Sequence, residues 1–283
     1  MSKIILTADS GCDLGAELIA KHDVHILPIH VELEGKDYLD GVGMTSEEML
    51  QICEKKGIVP KTSAINSAEA EEFFKPLVAN GNEVVHISIS SAVSLSHQSC
   101  VVAANEIKGV HVVDSRTLST GQSLLILKAV EMRDAGKSAA EITKELTALR
   151  TRTSASFVLE TPEWLHKGGR ISTAKFVVAS ALGIKPCIEV DAIEGTMEPG
   201  KKYRGKFEKA LLQYVEDKLT GIDYDDSYAF ITHAGVDDEL SGKVKAKIEE
   251  IANFKNIYIT RAGMTITTHC GRNTLGVLFI KNA

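Results

Sequence analysis

Hydroxyl side chains crowd one stretch of this sequence, Ser88-Ile89-Ser90-Ser91-Ala92-Val93-Ser94-Leu95-Ser96-His97-Gln98-Ser99. The stretch follows an apolar strand pattern and opens a helical one. A single serine there satisfies a helix's orphan N–H groups. Five serines fall between Ser90 and Ser99, more than one cap needs. A helix N-terminus also attracts anions through its free N–H groups and dipole, worth ~0.3–2 kcal/mol. No Gly-Lys-Ser/Thr follows, so the segment is not a phosphate-binding P-loop.

A second pair of hydroxyls, Thr62 and Ser63, follows Lys61 in what reads as a loop between two helices. Alone, such a pair is ordinary turn chemistry. The turn Lys167-Gly168-Gly169-Arg170 places a cation beside two glycines, and its guanidinium suits either a surface ion pair or a carboxylate or phosphate clamp. His269 reads as a loop residue in His269-Cys270-Gly271. His86, His97 and His233 are scattered without metal-ligand spacing, and no Gly-x-Ser-x-Gly elbow occurs. One reading of these residues is an enzyme, a small-molecule hydrolase or phosphoryl transferase using Ser94 with His97 or His269. That reading requires mutual hydrogen-bond reach, which no spacing here enforces.

The elements that must position these residues are legible from periodicity. Ile4–Ala8, Val24–Leu33, Val84–Ile89 and Val110–Asp114 read as strands. They alternate with helices over Leu14–Lys21, Met44–Lys56, from the cap Ser67 to Leu77, over Ser94–Ile107, and from about Thr120 and Ser138. Such alternation predicts a parallel, doubly wound sheet. Its ligands sit at the strands' carboxyl ends, where Asp9-Ser10, Ser88–Ser94 and Asp114-Ser115 would converge. Beyond Thr151 the pattern changes: strands over Ser154–Glu160, Tyr228–Thr232, Asn256–Arg261 and Leu275–Ile280, with helices over Gly205–Leu219 and Asp237–Ala252. Phe176–Val190 is expected to break at Pro186. The expectation is an α/β fold of two lobes: residues 1–150 with a mostly parallel sheet, and residues 151–283 with a mixed sheet.

Composition narrows the function classes. The 283 residues are 44% hydrophobic and 25% charged, as in globular proteins. Aromatics are 5% and the net charge is -6, which disfavours single-stranded nucleic acid platforms and phosphate-backbone partners. Five cysteines without a Cys-x-x-Cys pair argue for reduced thiols rather than disulfides or structural zinc. No signal-peptide pattern opens the chain. Its most apolar run, Phe176–Ile184, is shorter than the about 20 residues a bilayer span needs. A cytoplasmic protein without an integral membrane segment is expected.

Taken in order, the motifs resemble the DegV family almost end to end. Ala8-Asp9-Ser10-Gly11-Cys12-Asp13 stands where that family has Thr-Asp-Ser-Thr-x-Asp, and Pro28 falls in the second strand. Lys61-Thr62-Ser63 matches its Lys-Thr-Ser, Ile89–Ser94 its serine-rich loop, and Asp114-Ser115 its Asp-Ser. Leu165-His166-Lys167-Gly168-Gly169-Arg170-Ile171, Gly183-Ile184-Lys185-Pro186 and His269-Cys270-Gly271 complete the series. The resemblance implies a long-chain fatty acid, for example palmitate, held between two lobes, with no other cofactor. It implies that Thr62, Ser63 and Ser94 bind the carboxylate, that His269 lies near the head group, and that Arg170 contacts a partner fatty acid kinase. The protein would then be a carrier subunit that presents the acyl carboxylate for phosphorylation and lipid metabolism.

This chain departs from the family pattern beside the site. Leu95, Ser96 and His97 stand where the family has Gly, Thr and Tyr, and Cys270 stands for a Thr. Leu95 is expected to bring a side chain where backbone otherwise approaches the ligand. The physics suits a fatty acid: each buried methylene contributes about 0.8 kcal/mol, so the tail supplies affinity and the hydroxyls orientation.

Overall fold

The computed structural model of the chain describes residues 3–173 and 183–282. Ile4–Asp9 forms β1, Val24–Leu27 β2, Glu83–Ser88 β6 and Val110–Asp114 β7. These make an all-parallel sheet in the order β2-β1-β6-β7. The single strand expected over Val24–Leu33 is two. Pro28 has no N–H to donate, and the chain leaves the sheet there. It re-forms as β3 (His30–Leu33), which pairs antiparallel with β4 (Lys36–Leu39) and β5 (Lys61–Ser63). Thr62 and Ser63 therefore lie on a short strand opposite Val31 and His30, not in a loop.

The helices begin where short-range capping dictates. Around α1 (Ala16–His22) and α2 (Ser46–Lys56), the second is closed by a capping box between Thr45 and Glu48. For α3 (Ser67–Leu77) the cap is Asn66 with Glu69, one residue before the expected Ser67. α4 (Ser96–Glu106) follows the serine-rich loop, and α6 (Ala139–Leu149) is capped by Ser138 with Glu141. Between them, α5 (Thr120–Asp134) is buried on almost every face from Thr120 to Val130. It packs against β1 and β6 on one side and against strands of the C-terminal sheet on the other.

The C-terminal sheet has six strands. β8 (Thr153–Leu159), β9 (Ile184–Val190), β10 (Met197–Arg204), β11 (Tyr224–Ala234), β12 (Ile257–Arg261) and β13 (Thr274–Lys281) lie in the order β10-β9-β8-β13-β11-β12. All neighbours are antiparallel except β11 and β12. Pro186 does not break β9. It lies past the last registered pair with β8, Val158 opposite Cys187, and faces a bulge in β10. A proline costs little where no ladder bond is required of it. The expected stretch 176–182 lies outside the described residues.

Short α7 (Glu163–Lys167) precedes Arg170. α8 (Phe207–Leu219) and α9 (Asp238–Ile251) cover the outer face of the sheet, and α10 (Met264–Cys270) leads into β13. One apolar cluster runs from the parallel sheet through α5 to the inner face of the six-stranded sheet; a second fills the space beneath α8 and α9. Among the described residues no helix is long and apolar enough to cross a membrane.

Candidate functional site

The carboxyl ends of the parallel strands are tied together by buried carboxylates. Asp9, ending β1, accepts Ile89 N–H at 2.6 Å and Gly11 N–H at 3.1 Å. Burial pushes its pKa up to about 6 against those hydrogen bonds. Asp114, ending β7, accepts Ser91 Oγ at 2.6 Å and Ser91 N–H at 3.1 Å. The serine-rich loop is thereby fixed at both flanks, and Ser115 N–H donates to Ser88 O at 3.1 Å. From the other sheet, the turn between β9 and β10 docks on the same loop. Ser90 Oγ donates to Gly195 O at 2.9 Å, and Arg116 Nη1 donates to Glu194 O at 2.9 Å.

The loop, β5, α7 and α10 enclose one cleft. Its lining includes Thr62, Ser63, Ser94, Arg170, His269 and Cys270, with Ile29, Ala64, Ile89, Val93, Leu118, Phe157, Leu165, Met197 and Ile266 supplying apolar walls. The structure thus brings together all five residues singled out from the sequence. Thr62 Oγ1 lies 2.8 Å from His269 Nε2. Ser94 Oγ donates to Ser96 Oγ at 3.0 Å and accepts Ser96 N–H at 3.2 Å. Ser63 is exposed at the rim, and its hydroxyl has no hydrogen bond among the described residues. Arg170 donates Nη1 to Gly168 O at 2.8 Å and Nη2 to Val93 O at 3.3 Å. Among the described residues it has no carboxylate partner, and partial burial lowers its pKa.

His269 sits on α10, not in a loop. Met264-Thr265-Ile266-Thr267-Thr268 is rich in β-branched residues, a poor local helix signal. The helix is fixed instead from afar: Asp13 accepts Gly263 N–H at 2.8 Å, and Asp40 accepts the N–H groups of Met264 at 2.7 Å and Thr265 at 3.1 Å. No local pattern marks Asp40 as a partner of α10. Burial, then the Arg170 charge, pushes the His269 pKa down to about 3, so its ring is neutral. Its Nδ1 is buried without a partner among the described residues, against Gly168, where an added Cβ would lie 2.3 Å from that nitrogen. In the sequence Gly168 reads only as part of a turn. Its role is to leave room for the imidazole.

One expectation beside the site is corrected. Leu95 points outward, 71% exposed, and does not line the cleft. Of the two histidines that the enzyme reading paired with Ser94, His97 has its Nδ1 2.8 Å from the buried Ser88 Oγ and His269 has its Nε2 at Thr62, while Ser94 pairs with Ser96. Cys270 lines the cleft as a thiol whose pKa burial pushes up to about 12. All five cysteines are buried and unpaired. Among the described residues no three His, Cys, Asp or Glu side chains are grouped to hold a metal ion.

The cleft continues inward. Leu118, Phe157, Ile266 and Cys270 border both it and a second chamber, lined further by Ala155, Val190, Thr232, Ala234, Ala262, Thr274, Gly276 and Leu278. The hydroxyls near that chamber are engaged elsewhere. Ser119 donates to Asp13 at 2.6 Å, Thr274 donates to Cys270 O at 3.1 Å, and Thr232 Oγ1 lies 2.6 Å from Thr120 Oγ1. A cleft with polar groups at Thr62, Ser63, Ser94, Arg170 and His269 thus shares four residues with a chamber lined mostly by apolar side chains, with His233 also on its wall.

This is an α/β fold in which a parallel N-terminal sheet and a mixed C-terminal sheet flank one cleft. The model of the DegV family, described as an uncharacterised protein family, matches residues 3–282. The chain belongs to the DegV family. A DegV domain-containing protein of Clostridium acetobutylicum is 30% identical over 285 residues, covering 99% of both chains. A DegV family protein from Thermus thermophilus, described by its fatty acid binding, superposes with a TM-score of 0.88 at 26% identity, covering 99% of this chain and 100% of that one. A fatty acid (stearic acid)-binding protein from Eubacterium ventriosum gives a TM-score of 0.85 at 26% identity, covering 99% and 98%.

Proposed function

We propose that the cleft binds a long-chain fatty acid, with the carboxylate at Thr62, Ser94, His269 and Arg170 and the tail in the inner chamber. One observation carries the reading: hydroxyl donors and a guanidinium with no acidic partner among the described residues stand at the mouth of an otherwise apolar passage. A carboxylate supplies the acceptors and charge that this mouth lacks, while apolar walls match methylenes worth about 0.8 kcal/mol each. The fatty acid binding named for the Thermus thermophilus and Eubacterium ventriosum proteins supports the same ligand class.

Thr62 and Ser94 are the primary contacts in this reading. Ser63, at the rim, is a secondary one. Arg170 reaches both the cleft and the surface, which suits a residue that steadies the carboxylate and then meets a fatty acid kinase and the phosphate it adds. The chain is then a carrier subunit, with residues 1–150 contributing two sheets, Thr62 and Ser94, and residues 151–283 contributing the six-stranded sheet, Arg170 and His269.

Native mass spectrometry and lipid extraction of protein purified from cells test the ligand. An acyl chain of about 16 carbons, or uptake of added palmitate, is expected. Thr62→Ala with Ser94→Ala should weaken palmitate binding at least about tenfold, since hydrogen bonds to charged groups contribute roughly 1.5–3 kcal/mol. Ser67→Ala, exposed at the start of α3, is the control. Ser241, by contrast, is buried on α9 and unsuitable as a surface control. Absence of any acyl chain with no uptake of palmitate would sink the reading.

A further inference from the structure

We propose that Ser96 is a positioning residue of the head-group site, setting the direction in which Ser94 delivers its proton and the spacing between Ser94 and Thr62. The proposal rests on the carboxylate reading above. Ser96 opens α4 and is fully enclosed. Its Oγ accepts the Ile65 N–H at 3.2 Å and lies 3.0 Å from Ser94 Oγ, while its own N–H donates to Ser94 Oγ at 3.2 Å. No other partner of its hydroxyl occurs among the described residues.

A hydroxyl has one proton and two lone pairs, and its proton rotates to suit its surroundings. In the structure Ser94 donates to Ser96, and the enclosed Ser96 proton has no acceptor among the described residues. Rotation of both hydroxyls gives a second arrangement, in which Ser96 donates to Ser94 and the Ser94 proton turns into the cleft. A carboxylate oxygen facing Ser94 selects the second arrangement, because it satisfies both protons. The chain Ser96 to Ser94 to carboxylate is then aligned, and each bond polarises the next.

The Ile65 N–H bond adds a geometric role. Ile65 is a fully buried residue two positions beyond β5, the strand that carries Thr62. Ser96 Oγ thus ties that segment to the beginning of α4, beside Ser94. A residue at 96 without a hydroxyl loosens the spacing between the two primary donors and removes the donor that orients one of them.

Carboxyl-13C palmitate distinguishes this role from packing. Binding affinity and the apparent pKa of the bound carboxyl would be measured for the wild type, Ser94→Ala, Ser96→Ala, Ser96→Thr and the Ser94→Ala/Ser96→Ala pair. Ser96→Ala should weaken binding about tenfold and raise the bound carboxyl pKa. Ser96→Thr, which keeps the hydroxyl, should restore both. In the pair, Ser96→Ala should add less than its own single loss to that of Ser94→Ala, because only its Ile65 tie remains to be lost. Unchanged affinity and pKa in Ser96→Ala, or losses that add in full, would overturn the proposal. A wild type that gives no bound palmitate signal overturns the carboxylate reading itself, an outcome visible before any variant is made. Should Ser96→Ala fail to fold by circular dichroism, Ser96→Cys, with a weaker donor and acceptor, gives the same comparison.

Discussion

His269 Nε2 lies 2.8 Å from Thr62 Oγ1, joining residues 207 positions apart. The other ring nitrogen decides what this contact does. Nδ1 is buried against Gly168 with no partner among the described residues. A proton there would be an orphaned donor, which folded proteins rarely tolerate. The network therefore assigns the proton to Nε2, which donates to Thr62 and leaves the Thr62 hydroxyl free to donate into the cleft.

Gly168 should tolerate no side chain. An alanine Cβ would meet His269 Nδ1 at 2.3 Å and Trp164 O at 3.1 Å. Gly168→Ala is expected to push the imidazole from Thr62, cost about 1–3 kcal/mol of stability and weaken palmitate binding. Thermal unfolding and a binding titration check this. Wild-type affinity in the variant would mean that the His269–Thr62 contact does not orient the ligand.

Arg170 supplies charge where hydroxyls alone supply dipoles. Arg170→Gln should reduce palmitate affinity and flatten its dependence on salt, since a partly exposed ion pair is screened. Arg170→Lys should recover only part of the loss, because a lysine cannot keep both carbonyl contacts and present a planar fork. Isothermal titration across ionic strengths reads both effects, and an unchanged salt slope in Arg170→Gln would remove Arg170 from the head-group site.

Ala234 borders the inner chamber on the face of β11 turned toward the shared core. Ala234→Phe should fill that chamber and shift selectivity to shorter acyl chains. Loss of room for two or three methylenes predicts about 10- to 60-fold weaker palmitate binding at ~0.8 kcal/mol each. Competition between acids of graded length is the measurement, and an unaltered preference would place the tail elsewhere.

His269 and His86 predict acid sensitivity of the fold. Burial first, with the Arg170 charge second for His269 and His97 second for His86, lowers both pKa values from 6.5 to about 3. The unfolded chain binds a proton at each histidine as pH falls through 6.5, whereas the folded chain refuses it until about 3. Their stabilising contribution is therefore complete above pH 6.5 and lost progressively toward pH 3. Denaturant titrations should show that decline, shallower in His269→Asn. 15N NMR should show His269 neutral with the proton on Nε2 at pH 5, and a charged imidazole there would contradict the assignment.

The parallel sheet and most helix starts were legible because short-range rules govern them: apolar runs for β1, β6 and β7, and capping boxes at Thr45 and Ser138. The cluster of Thr62, Ser63, Ser94, Arg170 and His269 was visible only as a family resemblance, since each residue alone fits a cap, turn or surface role. What remained hidden depends on distant partners. α10 takes its helix-end acceptors from Asp13 and Asp40, and β5 exists because β3 lies beside it after the break at Pro28. The strand β10 carries polar and glycine residues at its bulge, so no alternating pattern announced it.

The proposed head-group site draws Thr62 and Ser94 from early in the chain and Arg170 and His269 from late in it. During synthesis from the N-terminus, the first two wait while most of the polypeptide is still unmade. On the proposed reading, an acyl chain offered to the growing protein finds no complete carboxylate cradle until position 269 has left the ribosome, so synthesis itself times ligand capture.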